Sequence, residues 1–117
     1  MELTRAIAAH SEWKLSLRNA IAERETLDAA SVAADTTCLL GRWLHGEARI
    51  RYATLPAYAD CLHSHASFHL EACKIAHAAN AGDYCGAAAM LDTGTDYARA
   101  SSALAAALVA LRNAAGI

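Results

Sequence analysis

A single proline, Pro56, stands in 117 residues, and six glycines are the only other strong interruptions. Alanine leads the apolar residues, and it enters a helix at no cost in side-chain entropy, whereas glycine and proline cost most there. Helix is therefore the default along the whole chain. Hydrophobic residues make up 56% of the sequence, enough at this length to bury one core without staples. The expectation is an all-α fold and a single domain over residues 1–117. A net charge of −2 with mixed signs gives no basic footprint for nucleic acid. No apolar run approaches the ~20 residues of a membrane span. The opening Met1-Glu2-Leu3-Thr4-Arg5 lacks the layout of a signal peptide. A cytoplasmic protein that binds neither nucleic acid nor membrane is expected.

Hydrophobic spacing divides the chain into four helices. Helix one is predicted from Glu2 to Leu27, with Leu3, Ile7, His10, Trp13, Leu17 and Ile21 stepping by three or four along one face. Helix two is shorter, starting near Asp28 or Ser31 and running through Leu44, with a break around Asp35-Thr36-Thr37 and Gly46 placed to end it. Gly41, mid-helix, is expected to admit a neighbouring backbone at close range. Residues 47–54 lose the periodicity and read as a connection. Helix three begins at Pro56, which the first turn tolerates, and continues to Ala79, with Tyr58, Leu62, His65, His69, Ala72 and Ala76 on its inner face. Asp83 caps helix four, over 84–114, whose stripe is Ala87, Met90, Leu91, Ala98, Leu104, Ala105, Leu108 and Leu111, with Gly94 as a bend. Short connections make these an antiparallel up-down four-helix bundle with a short or broken second helix.

Within that frame His65 and His69 sit four residues apart on an inward face, one turn from each other. Buried imidazoles must find partners, and one metal ion satisfies two at once. Cys38 lies 27 residues earlier and His10 a further 28, so chain reversals of that length bring all four to one level. His10 stands about eight residues into helix one and the pair nine to thirteen into helix three, depths that agree within a turn at ~1.5 Å per residue. Three imidazoles and one thiolate complete a tetrahedral Zn²⁺ shell and disfavour Mg²⁺ or Ca²⁺, which take oxygens. Such a shell keeps no place for an activated water, so no catalytic residue is expected, and the metal reads as structural or regulatory. The plain alternatives are a core-edge histidine at 10 and a small buried hydrophobe at 38. Trp13 shares the face of His10 and is positioned to shield the site. His63 points to another side of helix three, and Cys73 and His77 drift round it. Asp28 and Asp35 read as helix caps before they read as partners of a ligand histidine. The four cysteines (38, 61, 73, 85) are taken as reduced thiols, with 61, 73 and 85 unassigned.

The residues now resemble a known family, the chemoreceptor zinc-binding (CZB) domains. The shared pieces are His10-x-x-Trp13, Cys38-x-Leu40-Gly41-x-Trp43, Leu55-Pro56-x-Tyr58 and His65-x-x-Phe68-His69-x-x-Ala72, in the family's order over residues 10 to about 76. Helix four fits by length and amphipathicity alone. The resemblance implies a helical homodimer with one zinc per chain, held by His10, Cys38, His65 and His69. It also implies a sensory role in bacterial signalling, chemotaxis or cyclic-di-GMP control, with zinc or an oxidant such as hypochlorous acid as the signal. Chemoreceptors and diguanylate cyclases are the modules such domains control. None accompanies these 117 residues, so the partner is expected in trans or in a longer chain.

Oxidation of a zinc-bound Cys38 thiolate, or loss of zinc, is expected to loosen helix two. Cys73 is the expected disulfide partner of an oxidised Cys38. Three rival readings rest on the residues, and one, a hydrolase with three histidine ligands and a water, would make Cys38 a spectator. A di-iron, hemerythrin-like bundle needs several inward carboxylates, and only Glu71 and Glu12 lie near the histidines. A metal-free dimerisation module explains the alanines and little else.

Overall fold

A computed structural model describes residues 3–117, so the expected start of helix one at Glu2 lies outside the described residues. The fold is all-helical, as expected, and is divided more finely than the periodicity suggested. In order the segments are α1 (Leu3–Ser11), α2 (Trp13–Ala22), α3 (Ala29–Ala33), α4 (Leu39–His45), α5 (Glu47–Tyr52), α6 (Pro56–Asn80), α7 (Tyr84–Ala89) and α8 (Asp96–Ala115). No described helix is long and apolar enough to cross a membrane.

Each division has a local cause. Only Glu12, itself in helical conformation, separates α1 from α2. That track stops at Ala22 rather than Leu27, because Arg24 turns the chain with a positive φ of 54°. Helix two breaks where Asp35, Thr36 and Thr37 forecast it. Asp28 caps α3 by accepting from the Ser31 N–H, and α4 restarts at Cys38. Helix four is interrupted over 90–95, where Gly94 takes a φ of 80°. Thr95 restarts it, its Oγ1 accepting from the Ala98 N–H while its hydroxyl lies 2.9 and 2.8 Å from the Met90 and Asp92 carbonyls. The connection expected over 47–54 is instead largely helical. Gly46 swings the chain off α4, Ala48 is buried beneath α5, and Glu47 pairs with Arg51 one turn on. Its charges mark an outer face, not a loop.

The core gathers on α6. Pro56 stands at its start, and Tyr58, Cys61, His65, Phe68, His69, Ala72, Ile75, Ala76 and Ala79 are buried along it. This band is wider than one stripe, because several elements pack on the helix. α8 lies along it in the opposite sense. The Cys61 thiol donates to the Ala107 carbonyl at 3.0 Å near one end, and the Phe68 and Tyr97 rings meet at 5.2 Å nearer the other. α3 and α7 pack on α6 as well, while α1 packs on α4. The helix-one stripe holds, with Leu3, His10, Leu17 and Ile21 buried and Ile7 and Trp13 half-buried. In α8, Leu104, Leu108 and Leu111 are buried as expected, Ala105 faces solvent, and Tyr97 takes an inward place that the spacing argument left out. Fully burying a side chain such as Phe68 or Leu44 is worth about 1.5–3 kcal/mol, so this cluster is the main source of stability.

Candidate metal centre

Cys38 reaches the site from a loop end, not from within a helix as expected. It is the N-cap of α4, with extended backbone (φ −71°, ψ 164°), and its Sγ accepts from the Gly41 N–H at 3.2 Å. That turn depends on the missing side chain at 41. A Cβ there would lie 1.9 Å from the Asp35 carbonyl oxygen, so the close approach expected of Gly41 is present and unforgiving. α4 is also tied down at its far end, where the Tyr58 hydroxyl donates to the Leu44 carbonyl at 2.6 Å. The cysteine is thus held from two helices.

The four expected residues come together. Cys38 Sγ lies 3.2 Å from His65 Nε2 and 3.4 Å from His69 Nε2, and those two nitrogens are 3.0 Å apart. His10 completes the group, its ring centroid 5.2 Å from that of His65 and 5.5 Å from that of His69. All four offer a ligand atom within 4.8 Å of the others, and His10, His65 and His69 are buried. Zinc bonds of ~2.0–2.1 Å to nitrogen and ~2.3 Å to sulfur set tetrahedral edges of about 3.3–3.6 Å. The Cys38, His65 and His69 separations stand slightly inside those edges, so three of the donors already surround a volume of the right size. Glu12 is exposed and Glu71 pairs with Lys74 at 2.9 Å, and neither joins the cluster. The donor set is nitrogen and sulfur.

Hydrogen bonding fixes which atom of His69 faces the cluster. Its Nδ1 is 2.8 Å from the Val32 carbonyl, which can only accept, so Nδ1 carries the proton and Nε2 presents a lone pair. Two buried imidazole nitrogens, His10 Nε2 and His65 Nδ1, have no partner among the described residues. Aromatic rings close the site. Phe68 meets His10 at 4.3 Å between centroids, and Trp13 stacks on His10 at 5.7 Å and stands edge-on to His69 at 4.8 Å. Trp13 therefore shields the site in the way its spacing suggested.

Burial shifts the ionisation of the group toward neutrality. Loss of solvation lowers the His10 pKa to about 4, with repulsion from His69 adding to it. His65 falls to about 3 by burial first, then by repulsion from His69, His10 and His45. His69 is lowered by burial too, against the opposing pull of the Val32 carbonyl and Asp35. The Cys38 thiol is pushed up by burial and by Asp35, against the favourable Gly41 and Leu40 N–H groups. At neutral pH the histidines are thus unprotonated and ready to donate, while the thiol needs a cation before it yields its proton.

Asp35, expected as a helix cap, caps neither α3 nor α4, because Ala34 ends the one and Cys38 starts the other. His63 and His77 are exposed. All four cysteines are free thiols. Cys61 is buried, with a pKa raised to about 11 by desolvation and Asp60, and Cys85 is exposed. Cys73 donates to the Ala29 carbonyl at 3.6 Å. Asp28 is a cap, and the partner that orients His69 is the Val32 carbonyl, which sequence reasoning missed. A backbone carbonyl leaves no signature in residue identity.

Residues 10–76 match the chemoreceptor zinc-binding domain family, a family of sensory and signalling domains and not of known enzymes. No curated protein and no solved structure gives a significant match to the chain. The match spans more than half of the chain and contains all four clustered residues, so the chain belongs to the chemoreceptor zinc-binding domain family.

Proposed function

We propose that His10, Cys38, His65 and His69 hold one Zn²⁺ and that the domain uses this centre as a sensor within bacterial signalling, chemotaxis or cyclic-di-GMP control. The observation that carries the reading is the convergence of these four donors, drawn from α1, the start of α4 and α6, in a chain of this family. When bound, the ion lowers the pKa of Cys38 and makes it a thiolate. Each protein group then has a task. The Val32 carbonyl keeps the His69 Nε2 lone pair aimed inward, and the Gly41 N–H stabilises negative charge on Cys38. Phe68 and Trp13 limit water.

A thiolate held this way is open to two-electron oxidation. Hypochlorous acid would deliver its hydroxyl to sulfur, giving sulfenic acid while chlorine leaves as chloride. The neutral product is a poorer ligand, so oxidation and zinc loss act in one direction. Both free the turn at 35–38. A cytoplasmic setting accords with the free thiols. The architecture that accompanies the reading is an antiparallel up-down bundle of four helical tracks, paired as a homodimer. Its output would pass to a chemoreceptor or diguanylate cyclase module, in cis or in trans.

The test is to titrate zinc-loaded protein with hypochlorous acid beside a chromophoric zinc indicator and locate the oxidised cysteine by mass spectrometry. Zinc should appear in step with sulfenic acid on Cys38, also in a Cys85→Ala variant. Oxidation confined to Cys85, with zinc retained, would sink the oxidant arm.

A further inference from the structure

Three side chains of α6 grip the backbone of the segment that leads into the site. His69 Nδ1 donates to the Val32 carbonyl at 2.8 Å, and the Cys73 thiol to the Ala29 carbonyl at 3.6 Å. Asn80 pairs with both main-chain groups of Leu27, accepting from its N–H at 2.8 Å and donating to its carbonyl at 2.7 Å. These contacts form a ladder in which residues 27, 29 and 32 descend α6 from 80 through 73 to 69. α3 itself buries no residue, and Val32 and Leu27 are half-buried against the core. Its placement therefore rests heavily on the polar rungs. Leu27 immediately precedes Asp28, whose carboxylate holds the Ser31 N–H at 3.3 Å and the Ser31 hydroxyl at 2.8 Å. A capped helical turn thus joins the Asn80 rung to the Val32 rung.

We infer that Asn80 is a positioning residue for the metal centre. By fixing Leu27 at the far end of α6, it sets the register of 27–32 and so presents the Val32 carbonyl to His69. Asn80 is eleven residues beyond His69, about 16 Å along the axis at ~1.5 Å per residue, and outside the family match at 10–76. It acts through the strap. With Val32 in place, His69 must keep its proton on Nδ1. If the strap slips, the alternative tautomer opens, with a proton on Nε2 where a ligand lone pair is needed. This inference rests on the reading of His69 as a ligand.

The experiment compares the full chain with Asn80→Ala, Asn80→Asp, His69→Ala and a control, Leu111→Val. Leu111 is buried in α8, beyond the Ala107 contact with Cys61 and so toward the other end of α6. Zinc affinity is read by competition with a chromophoric chelator, and the His69 tautomer in metal-free protein by ¹⁵N-edited long-range NMR. Asn80→Ala should weaken zinc binding about ten-fold, the lower end for loss of an outer partner, and convert His69 from one tautomer to a mixture. Asn80→Asp keeps the acceptor for the Leu27 N–H and should fall between. Leu111→Val should lower thermal stability yet leave affinity and tautomer unchanged. The inference is overturned if Asn80→Ala moves neither readout more than the control does, while His69→Ala loses zinc. Should His69→Ala bind zinc as the wild type does, the ligand assignment falls and takes this inference with it.

Discussion

Cys38 has two roles: it caps α4 through Sγ and supplies the sulfur donor of the cluster. Gly41 makes both possible, because its N–H feeds the sulfur and its bare Cα clears the Asp35 carbonyl. Gly41→Ala should therefore destabilise the fold by about 1–3 kcal/mol, as overpacked sites do, and weaken zinc binding. Calorimetry with and without zinc reads both effects; an unchanged melting temperature would contradict the tight turn. The histidines give a pH dependence with a definite sign. In the metal-free chain His10 titrates near 4 and His65 near 3, against an ordinary value of 6.5, because burial disfavours their charged forms. The unfolded chain takes up these protons from about 6.5 downward while the folded one does not. Their contribution to stability is complete above 6.5 and is lost as pH falls toward 4 for His10 and 3 for His65. A His10→Gln variant should show a shallower loss over that window in chelator-treated protein, measured by thermal melts across pH. All four clustered residues were legible in the sequence, from donor type and spacing together with the motifs shared with the family. Val32 was not, because any residue has a carbonyl.

Among the elements, α3 and α4 are short and meet at the non-helical stretch over 34–38. Val32 lies in α3 and Cys38 caps α4, so their order should follow the state of the centre. Amide hydrogen exchange over residues 30–46 should speed up at least several-fold on chelation or oxidation, with the α6 and α8 amides far less affected. Equal exchange in both states would rule out this segment as the moving part. α6 shows why helix three was easy to read: a proline start and 25 residues of inward periodicity leave no ambiguity. The breaks in the other tracks were harder. Arg24 adopts a left-handed conformation that its side chain does not announce, and α5 hides behind charges that serve its outer face. Tyr58 shows the same limit, since its bond to the Leu44 carbonyl depends on tertiary placement. Tyr58→Phe removes that bond and should cost about 0.5–1.5 kcal/mol in chemical denaturation, by loosening the far end of α4.

At the scale of the molecule, an elongated body of 44 × 25 × 19 Å carries its donor cluster between α1, α4 and α6, so three stretches distant in sequence meet only when folded. Metal binding to the folded chain and folding are then linked, and zinc should raise the melting temperature as its free concentration rises above the dissociation constant. Homodimerisation is tested separately, by light scattering with and without zinc. The decisive measurement is elemental analysis of the purified, reduced protein, wild type beside Cys38→Ala. One Zn²⁺ at the centre means about one zinc per wild-type chain, and zinc lost or markedly weakened in Cys38→Ala. Two irons per chain, or no metal under reducing and metal-replete conditions, would contradict it.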